Sequence, residues 1–222
     1  MFELLKKDMI ISRKPMMLIG VLVILWGIPA YLIQNEVMGQ AIFGYYLFFQ
    51  AYYLAIMLTQ KDESVKADIV INSLPVERSL VVAARYIYFI IQPVLFSVVL
   101  IALTGIIWAL PSPGFPDGRI FSPIGALVVL PMLWIIFSIY LPMNYLSIGK
   151  TRVFNQLSLM ALIILPSIIS RYFRIDKMPG WINDFGSFPL ELILPGFIMV
   201  SLLAYFISYQ VSKRIYRNKD FY

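Results

Sequence analysis

Six long stretches of this 222-residue chain contain no Asp, Glu, Lys or Arg. A helix needs about 17–25 consecutive apolar residues to cross a bilayer, and each stretch is long enough. The stretches are continuously apolar and lack the period-2 alternation of barrel strands, so helices are expected. The pattern predicts an all-α integral membrane protein with six transmembrane helices, forming a single domain over residues 1–222. The predicted spans are Pro15–Gln34, Val37–Gln60, Tyr86–Pro116, Ile120–Gly149, Val153–Ser170 and Leu192–Ser212.

The composition supports a membrane environment and narrows the possible chemistry. Hydrophobic residues make up 60% of the chain and charged residues 14%, whereas a soluble domain carries about 25% charge. The chain has no cysteine and no histidine. Disulfide frameworks, thiol nucleophiles, imidazole bases and the usual zinc ligands are therefore excluded. The predicted spans also lack the paired carboxylates that an intramembrane protease would need. We expect no catalytic residue, metal site or cofactor in this chain.

The distribution of Lys and Arg predicts the orientation in the membrane. With both termini in the cytoplasm, 14 of the 18 basic residues lie on the inner side and 4 on the outer side. The excess of inner basic residues accounts for the net charge of +6, which also favours contact with anionic lipid headgroups. The net charge does not indicate nucleic-acid binding. We therefore predict a multi-pass protein of the cytoplasmic membrane with membrane lipids among its partners.

Two segments at the membrane surface have distinctive compositions. Residues 1–14 are predicted to form an interfacial amphipathic helix, because Phe2, Leu5 and Met9 fall on one helical face. Residues 171–189 contain Trp181 among charged residues and are predicted to be an outer loop or a re-entrant helix.

Residues 61–85 form the longest charged segment between two predicted spans. Asp62 and Lys66 stand at i and i+4 with the acid first, which favours a short helix over Asp62–Asn72. Ser73 is a good N-cap, and Pro75 suits the first turn of a second helix from Val76 onward. Two short helices joined by an elbow fit either a solvated connector or a rigid coupling element that docks on a cytoplasmic partner.

Other polar residues admit more than one interpretation. Gln50, Tyr52 and Tyr53 lie within the second predicted span, where ordinary packing competes with a cargo path or a subunit interface. Gly149-Lys150-Thr151 resembles the end of a phosphate-binding loop, but Asn144 stands where that motif requires glycine. ATP binding by this chain is therefore not expected.

The segment from Asp62 to Tyr86 also resembles a known family. It reads Asp62-Glu63-x-x-Lys66-x-Asp68, then Asn72-Ser73-Leu74-Pro75-Val76-x-Arg78, and closes with Ala84-Arg85-Tyr86. This pattern, with the six-span layout, resembles membrane subunits of ABC-2 type transporters. Within them it is most similar to small bacterial six-span permeases that pair with a separate ATPase, such as phenol-soluble modulin exporters and bacitracin-resistance-like permeases.

The resemblance implies the permease subunit of an ATP-driven exporter in a bacterial plasma membrane. It implies two copies of an ABC ATPase that hold ATP and Mg²⁺, a second permease copy or a paralogue, and amphipathic or hydrophobic cargo, with peptides as the first expectation. Lys150 and Arg152 would form a secondary cytoplasmic contact. The implied coupling-helix residues that contact the ATPase are Asp62, Glu63, Lys66, Asp68, Ile69, Ser73, Leu74 and Pro75. The alternative is a membrane scaffold or sensor with a cytoplasmic docking loop and no transport activity.

Overall fold

The regular structure of the chain is α-helical wherever it is described. The computed structural model describes residues 3–12, 36–64, 76–109, 122–146, 151, 153–161, 164 and 190–218. Within these ranges six helices are labelled here in chain order: α1 (3–12), α2 (Glu36–Ser64), α3 (Arg78–Ala109), α4 (Pro123–Leu146), α5 (153–161) and α6 (Leu190–Arg217). The predicted all-α class is confirmed for the described ranges.

Four of these helices are long and apolar enough to cross a membrane. Their membrane-compatible parts are Gly39–Ser64, Arg78–Ile106, Pro123–Leu146 and Ile193–Arg217, with 26, 29, 24 and 25 residues. They correspond to the second, third, fourth and sixth predicted spans. The first predicted span lies outside the described residues, and the fifth is described only at 153–161 and 164. The count of six spans therefore stays a prediction.

The helix boundaries around the charged segment differ from those predicted. α2 continues through Asp62 to Ser64, because no glycine or proline interrupts it after Gln60. Asp62 therefore lies in the last turn of α2 and does not begin a new helix; residues 65–75 lie outside the described ranges.

α3 begins at Arg78, two residues later than predicted. The Glu77 carbonyl accepts hydrogen bonds from the backbone N–H of Leu80 at 2.9 Å and of Val81 at 3.4 Å. Its carboxylate accepts one from the Ser79 hydroxyl at 3.0 Å. Glu77 therefore occupies the N-cap that the sequence assigned to Ser73.

The buried faces of the long helices meet in an aromatic core. The Phe89 ring of α3 lies 4.9 Å from that of Phe137 on α4, and Tyr140 lies 6.0 Å from Tyr52 on α2. α6 joins this core along a single stripe, whereas its remaining surface exposes large apolar side chains such as Phe206 and Ile207. The stripe recurs with the helical period and consists of Ser201, Tyr205, Ser208, Ser212 and Tyr216, all buried.

The two ends of the bundle can be told apart by their contacts. At one end, the Ser122 backbone N–H donates to the Gln40 side chain at 2.9 Å, where α2 and α4 begin. At the other end α2 finishes and α3 starts; we call this the basal end. There the Arg78 guanidinium donates to the Arg217 carbonyl at 2.9 Å, and α1 contacts the last turn of α2. The N-terminal helix and the C-terminal turn of α6 therefore lie at the same end.

Candidate functional site

Most of the residues predicted to contact a partner lie outside the described ranges. This applies to Lys66, Asp68, Ile69, Ser73, Leu74, Pro75, Lys150 and Arg152. Asp62 and Glu63 are described, and both lie in the last turn of α2. The candidate site is therefore built from the basal end outward, beginning with the environment of Asp62.

Asp62 belongs to a group of four charged side chains from three helices, which we call the four-charge cluster: Lys7 and Asp8 of α1, Asp62 of α2 and Arg85 of α3. The Arg85 guanidinium donates through Nη2 to Asp62 Oδ2, and its Nη1 lies 3.6 Å from Asp8 Oδ2. Lys7 Nζ lies 3.4 Å from both Asp8 Oδ1 and Asp62 Oδ1. Each base therefore faces both acids.

The four-charge cluster is well shielded and electrically balanced. The Asp8 side chain is 5% exposed, and those of Asp62 and Arg85 are 13% exposed. Two acids and two bases give no net charge, which makes such burial tolerable, since an isolated buried ion costs several kcal/mol. The Arg85 guanidinium is always charged, and while its Nη2 donates to Asp62, its Nη1 faces Asp8 as an ion pair at 3.6 Å, beyond hydrogen-bond distance.

The four-charge cluster ties the base of the α2–α3 connection to α1. Asp62 lies two residues before the end of α2, and Arg85 lies in the second turn of α3. Their ion pair therefore holds together the two helix ends from which the connection leaves. α1 is fixed to the same point through Asp8, whose backbone carbonyl also accepts a hydrogen bond from Ser12 at 2.8 Å. The α2–α3 connection therefore leaves and re-enters the bundle at helix ends that the four-charge cluster holds together.

Sequence reasoning missed three members of the four-charge cluster. Lys7 and Arg85 counted among the inner basic residues, Arg85 also closed the family motif, Asp8 was not singled out, and Asp62 was expected to contact a partner. The usable signal was the placement of Asp62 and Arg85 near the two ends of one connection, where opposite charges on neighbouring antiparallel helices come into reach. Asp62 is paired within the chain, and Glu63 beside it is half-buried.

Hydrogen bonds from tyrosines join the helices above the four-charge cluster. The Tyr86 hydroxyl lies 2.7 Å from both Ser208 Oγ and Ser212 Oγ, and the Tyr205 hydroxyl donates to the Tyr86 carbonyl at 2.7 Å. Ser208 in turn donates to the Ser138 carbonyl at 2.6 Å. These bonds link α3, α4 and α6, and they supply the polar contacts that hold helices together where lipid gives no hydrophobic drive.

The candidate residues of the second predicted span lie in different environments. Tyr52 is 1% exposed, and its hydroxyl donates to Asn155 Oδ1 on α5 at 3.3 Å. Tyr53 is half-buried and stacks on Phe49 with 6.1 Å between ring centroids. Tyr52 therefore packs within the chain.

Gln50 is fully buried, and its side-chain amide has no hydrogen-bond partner among the residues that the structure describes. Gln92 of α3 is 4% exposed and has no partner for its amide either. Polar residues deep in a span more often form hydrogen bonds between helices than line a cargo path, and these two amides form none within the described part of the chain. An unpaired buried amide costs about 1–3 kcal/mol, so both side chains weaken this packing.

Within the described ranges, no group of three or more acidic side chains could hold a metal ion. The ion pairs and hydrogen bonds described above link α1, α2, α3, α4 and α6 to one another.

Comparison with known proteins provides one match. The model of a family described as ABC-2 family transporter protein matches residues 3–217. No curated protein and no solved structure matches the chain. The matched range includes α1 and extends to the last residue of α6, so all four members of the cluster lie inside it.

Proposed function

Because the chain belongs to the ABC-2 family of transporter proteins, we propose that it is the membrane subunit of an ATP-driven exporter. Membership makes it a multi-pass membrane component of a transporter. The export direction, the cargo, the ATPase partner and the number of spans are the further steps of the proposal. The observation that carries it is the four-charge cluster, which clamps the base of the α2–α3 connection.

The positions of the described helix ends support six spans. α1 lies at the basal end, whereas α2 begins at the opposite end, so residues 13–35 have to connect the two ends. α5 begins near the basal end, since Thr151 donates to the Met143 carbonyl at 3.0 Å. α6 begins at the opposite end, so the chain crosses again between 151 and 190. Two further crossings added to the four long helices make six.

The charges of the described residues support a cytoplasmic basal end. All eight described basic side chains lie there: Lys6, Lys7, Lys61, Arg78, Arg85, Lys213, Arg214 and Arg217. Basic residues near short loops are retained on the cytoplasmic side during insertion. Both termini and the α2–α3 connection would then face the cytoplasm of a bacterial cell.

A cytoplasmic α2–α3 connection is where an ATPase would dock. The sequence has no complete phosphate-binding loop, so ATP and Mg²⁺ would be bound by a separate ABC ATPase, present in two copies. Lys66, Asp68, Ile69, Ser73, Leu74 and Pro75 remain the proposed contacts, with Lys150 and Arg152 as a second one. Asp62 would position the docking segment through Arg85. A displacement of the segment would then reach α1, α2 and α3 together, because one cluster joins them.

Two permease subunits, identical or paralogous, would enclose the cargo path. Peptides with an apolar face are the proposed cargo, ahead of other hydrophobic molecules. Asp, Glu, Lys and Arg are absent from the described middle parts of the long helices, which favours amphipathic or apolar cargo over small ions.

A replacement of the docking segment tests this proposal. Residues 65–75 are exchanged for a Gly-Ser linker of equal length, which leaves Asp62 and Arg85 in place. The matched control exchanges residues 111–118, in the predicted outer connection, in the same way. Each variant is co-expressed with candidate ABC ATPases from the same genome, and co-purification and ATP-dependent peptide uptake into inverted vesicles are measured. We expect the first exchange to abolish both and the control to keep co-purification.

Two outcomes would contradict the proposal. If the ATPase still binds and transport continues after the exchange of 65–75, the coupling assignment is wrong. If no ABC ATPase binds the unaltered chain, the transport function is wrong, and a scaffold or sensor without ATP dependence takes its place.

A further inference from the structure

A cleft of about 300 Å³ lies between α1 and the basal end of α2. Leu54 and Leu58 form its floor and are 1% and 2% exposed, while Ile11 and Met57 form half-buried walls. Lys61 lies at the mouth, on the last turns of α2. The volume is at the lower limit of cavities that hold small ligands or one end of a larger one.

The lining of the cleft changes from apolar to polar along α2. Leu54 lies deepest towards the bundle centre, Leu58 follows one turn later, and exposed Lys61 comes next towards the basal end. At 1.5 Å per residue, Leu54 and Lys61 are separated by about 10 Å along the helix axis. A phospholipid has the same order of polarity, with its acyl chains towards the bilayer centre and its headgroup at the surface.

The α1 helix opens the cleft to lipid. It turns Asp8 and Ser12, 3% and 4% exposed, towards the bundle, and leaves Met9 and Ile10 51% and 62% exposed. Leu5 and Ile11 also pack, partly buried, against the core, and Glu3 and Lys6 are exposed, so the outer surface of α1 carries both apolar and charged side chains. Exposed apolar side chains beside exposed charges suit a helix at the membrane surface, where the apolar side chains reach hydrocarbon and the charges reach the headgroups. The cleft beside α1 is then reached from the leaflet at the basal end.

The charges around the mouth favour an anion. Lys61 is exposed, and the nearby Asp62 carboxylate is neutralised by Arg85 and Lys7. Glu63 is half-buried on the same turn, and Lys6 of α1 is exposed. A lysine at the membrane surface attracts an anionic headgroup by about 1 kcal/mol, and its long stem can follow the apolar wall.

We propose that this cleft binds one anionic phospholipid of the leaflet at the basal end, with an acyl chain against Leu54 and Leu58 and the headgroup phosphate at Lys61. The lipid would fill the space between α1 and α2 beside the four-charge cluster. Binding of this lipid does not depend on transport activity. It is therefore tested on the purified chain without an ATPase.

Native mass spectrometry of the detergent-purified chain tests the site, with dioleoyl phosphatidylglycerol and dioleoyl phosphatidylcholine offered at equal concentration. We expect the unaltered chain to retain one phosphatidylglycerol in preference to phosphatidylcholine. Lys61→Gln should lower that preference about fivefold, the factor that corresponds to one surface lysine. Met57→Trp should fill the cleft and reduce retention of both lipids. Lys213→Gln, which removes the same charge from α6 at the same end, should change nothing.

Three results would overturn the proposal. One is equal retention of both lipids by the unaltered chain. Another is an equal effect of Lys61→Gln and Lys213→Gln, since the attraction would then be general to the basic surface. The third is displacement of phosphatidylglycerol by an equal concentration of oleate, which would identify a free carboxylate as the ligand. Lys61 is exposed, so its substitution tests the site even where Met57→Trp lowers stability.

Discussion

The replacement Arg85→Gln tests whether the four-charge cluster is an energetic unit. It removes the more shielded of the two cations that face Asp8 and Asp62, and a neutral side chain of similar length takes its place. Among the described residues, Lys7 then remains as the only base that faces the two shielded acids. The cluster changes from neutral to a net charge of −1 in a place where its acids are 5% and 13% exposed.

The expected loss of stability follows from this uncompensated charge. Removing one partner of a buried ion pair costs about 3–5 kcal/mol, and we expect the lower value because Lys7 still faces both acids. At about 2–4 °C per kcal/mol for a chain of this size, Tm should fall by about 6–12 °C. The double replacement Asp62→Asn with Arg85→Gln restores neutrality, since Lys7 and Asp8 remain paired at 3.4 Å. It should therefore cost less than the sum of the two single replacements by at least about 1 kcal/mol.

Thermal unfolding of the purified chain in detergent, followed by intrinsic tryptophan fluorescence, measures all three variants against the unaltered chain. Arg214→Gln is the matched control, because Arg214 is an exposed base at the same end of the bundle. Its Tm should stay within about 1 °C, as for most surface substitutions. Strict additivity of the Asp62 and Arg85 replacements would refute the reasoning, since independent residues do not form a cluster.

Three further substitutions probe the packing between helices by the same unfolding measurement. Tyr86→Phe removes the hydroxyl that lies 2.7 Å from two serines of α6 and should cost about 1–2 kcal/mol; an unchanged Tm would mean that these contacts do not hold α6. Gln92→Leu should raise Tm, because its buried amide is unpaired, and a lower Tm would reveal a partner for it. Gly44→Ala should destabilise relative to Gly105→Ala, since an added methyl meets Val129 at 3.1 Å at the first site and nothing within 4 Å at the second; equal effects would exclude close contact of α2 with α4.

The long helices could be predicted closely because the bilayer interior excludes charged side chains, so charge-free stretches of sequence mark the spans. The second predicted span starts one residue from the observed start of α2, and the fourth contains all of α4. The end of α2 could not be predicted in the same way. Charged residues mark the membrane surface, but the helix continues through Asp62 because no glycine or proline follows Gln60 within α2.

The role of Asp62 shows the corresponding limit for the site. An aspartate at the end of a span looks the same in sequence whether it faces water, a partner protein or a buried arginine. The choice depends on which helices become neighbours, and Asp8 and Arg85 are brought to Asp62 by tertiary packing. The same limit applies to Tyr86, whose partners Ser208 and Ser212 are more than 100 positions away in the chain.

The members of the four-charge cluster lie far apart in the chain, so they are synthesised at different times. The members on α1 are synthesised first, and 55 positions separate Lys7 from Asp62. At a synthesis rate of about 5–20 residues per second, roughly 3–11 s pass before Asp62 exists, and Arg85 follows later. A nascent chain therefore carries Asp8 at the membrane surface before its arginine has been made. The four-charge cluster can therefore be completed only after the start of α3 has been synthesised, and until then Asp8 has Lys7 but not Arg85 as a partner.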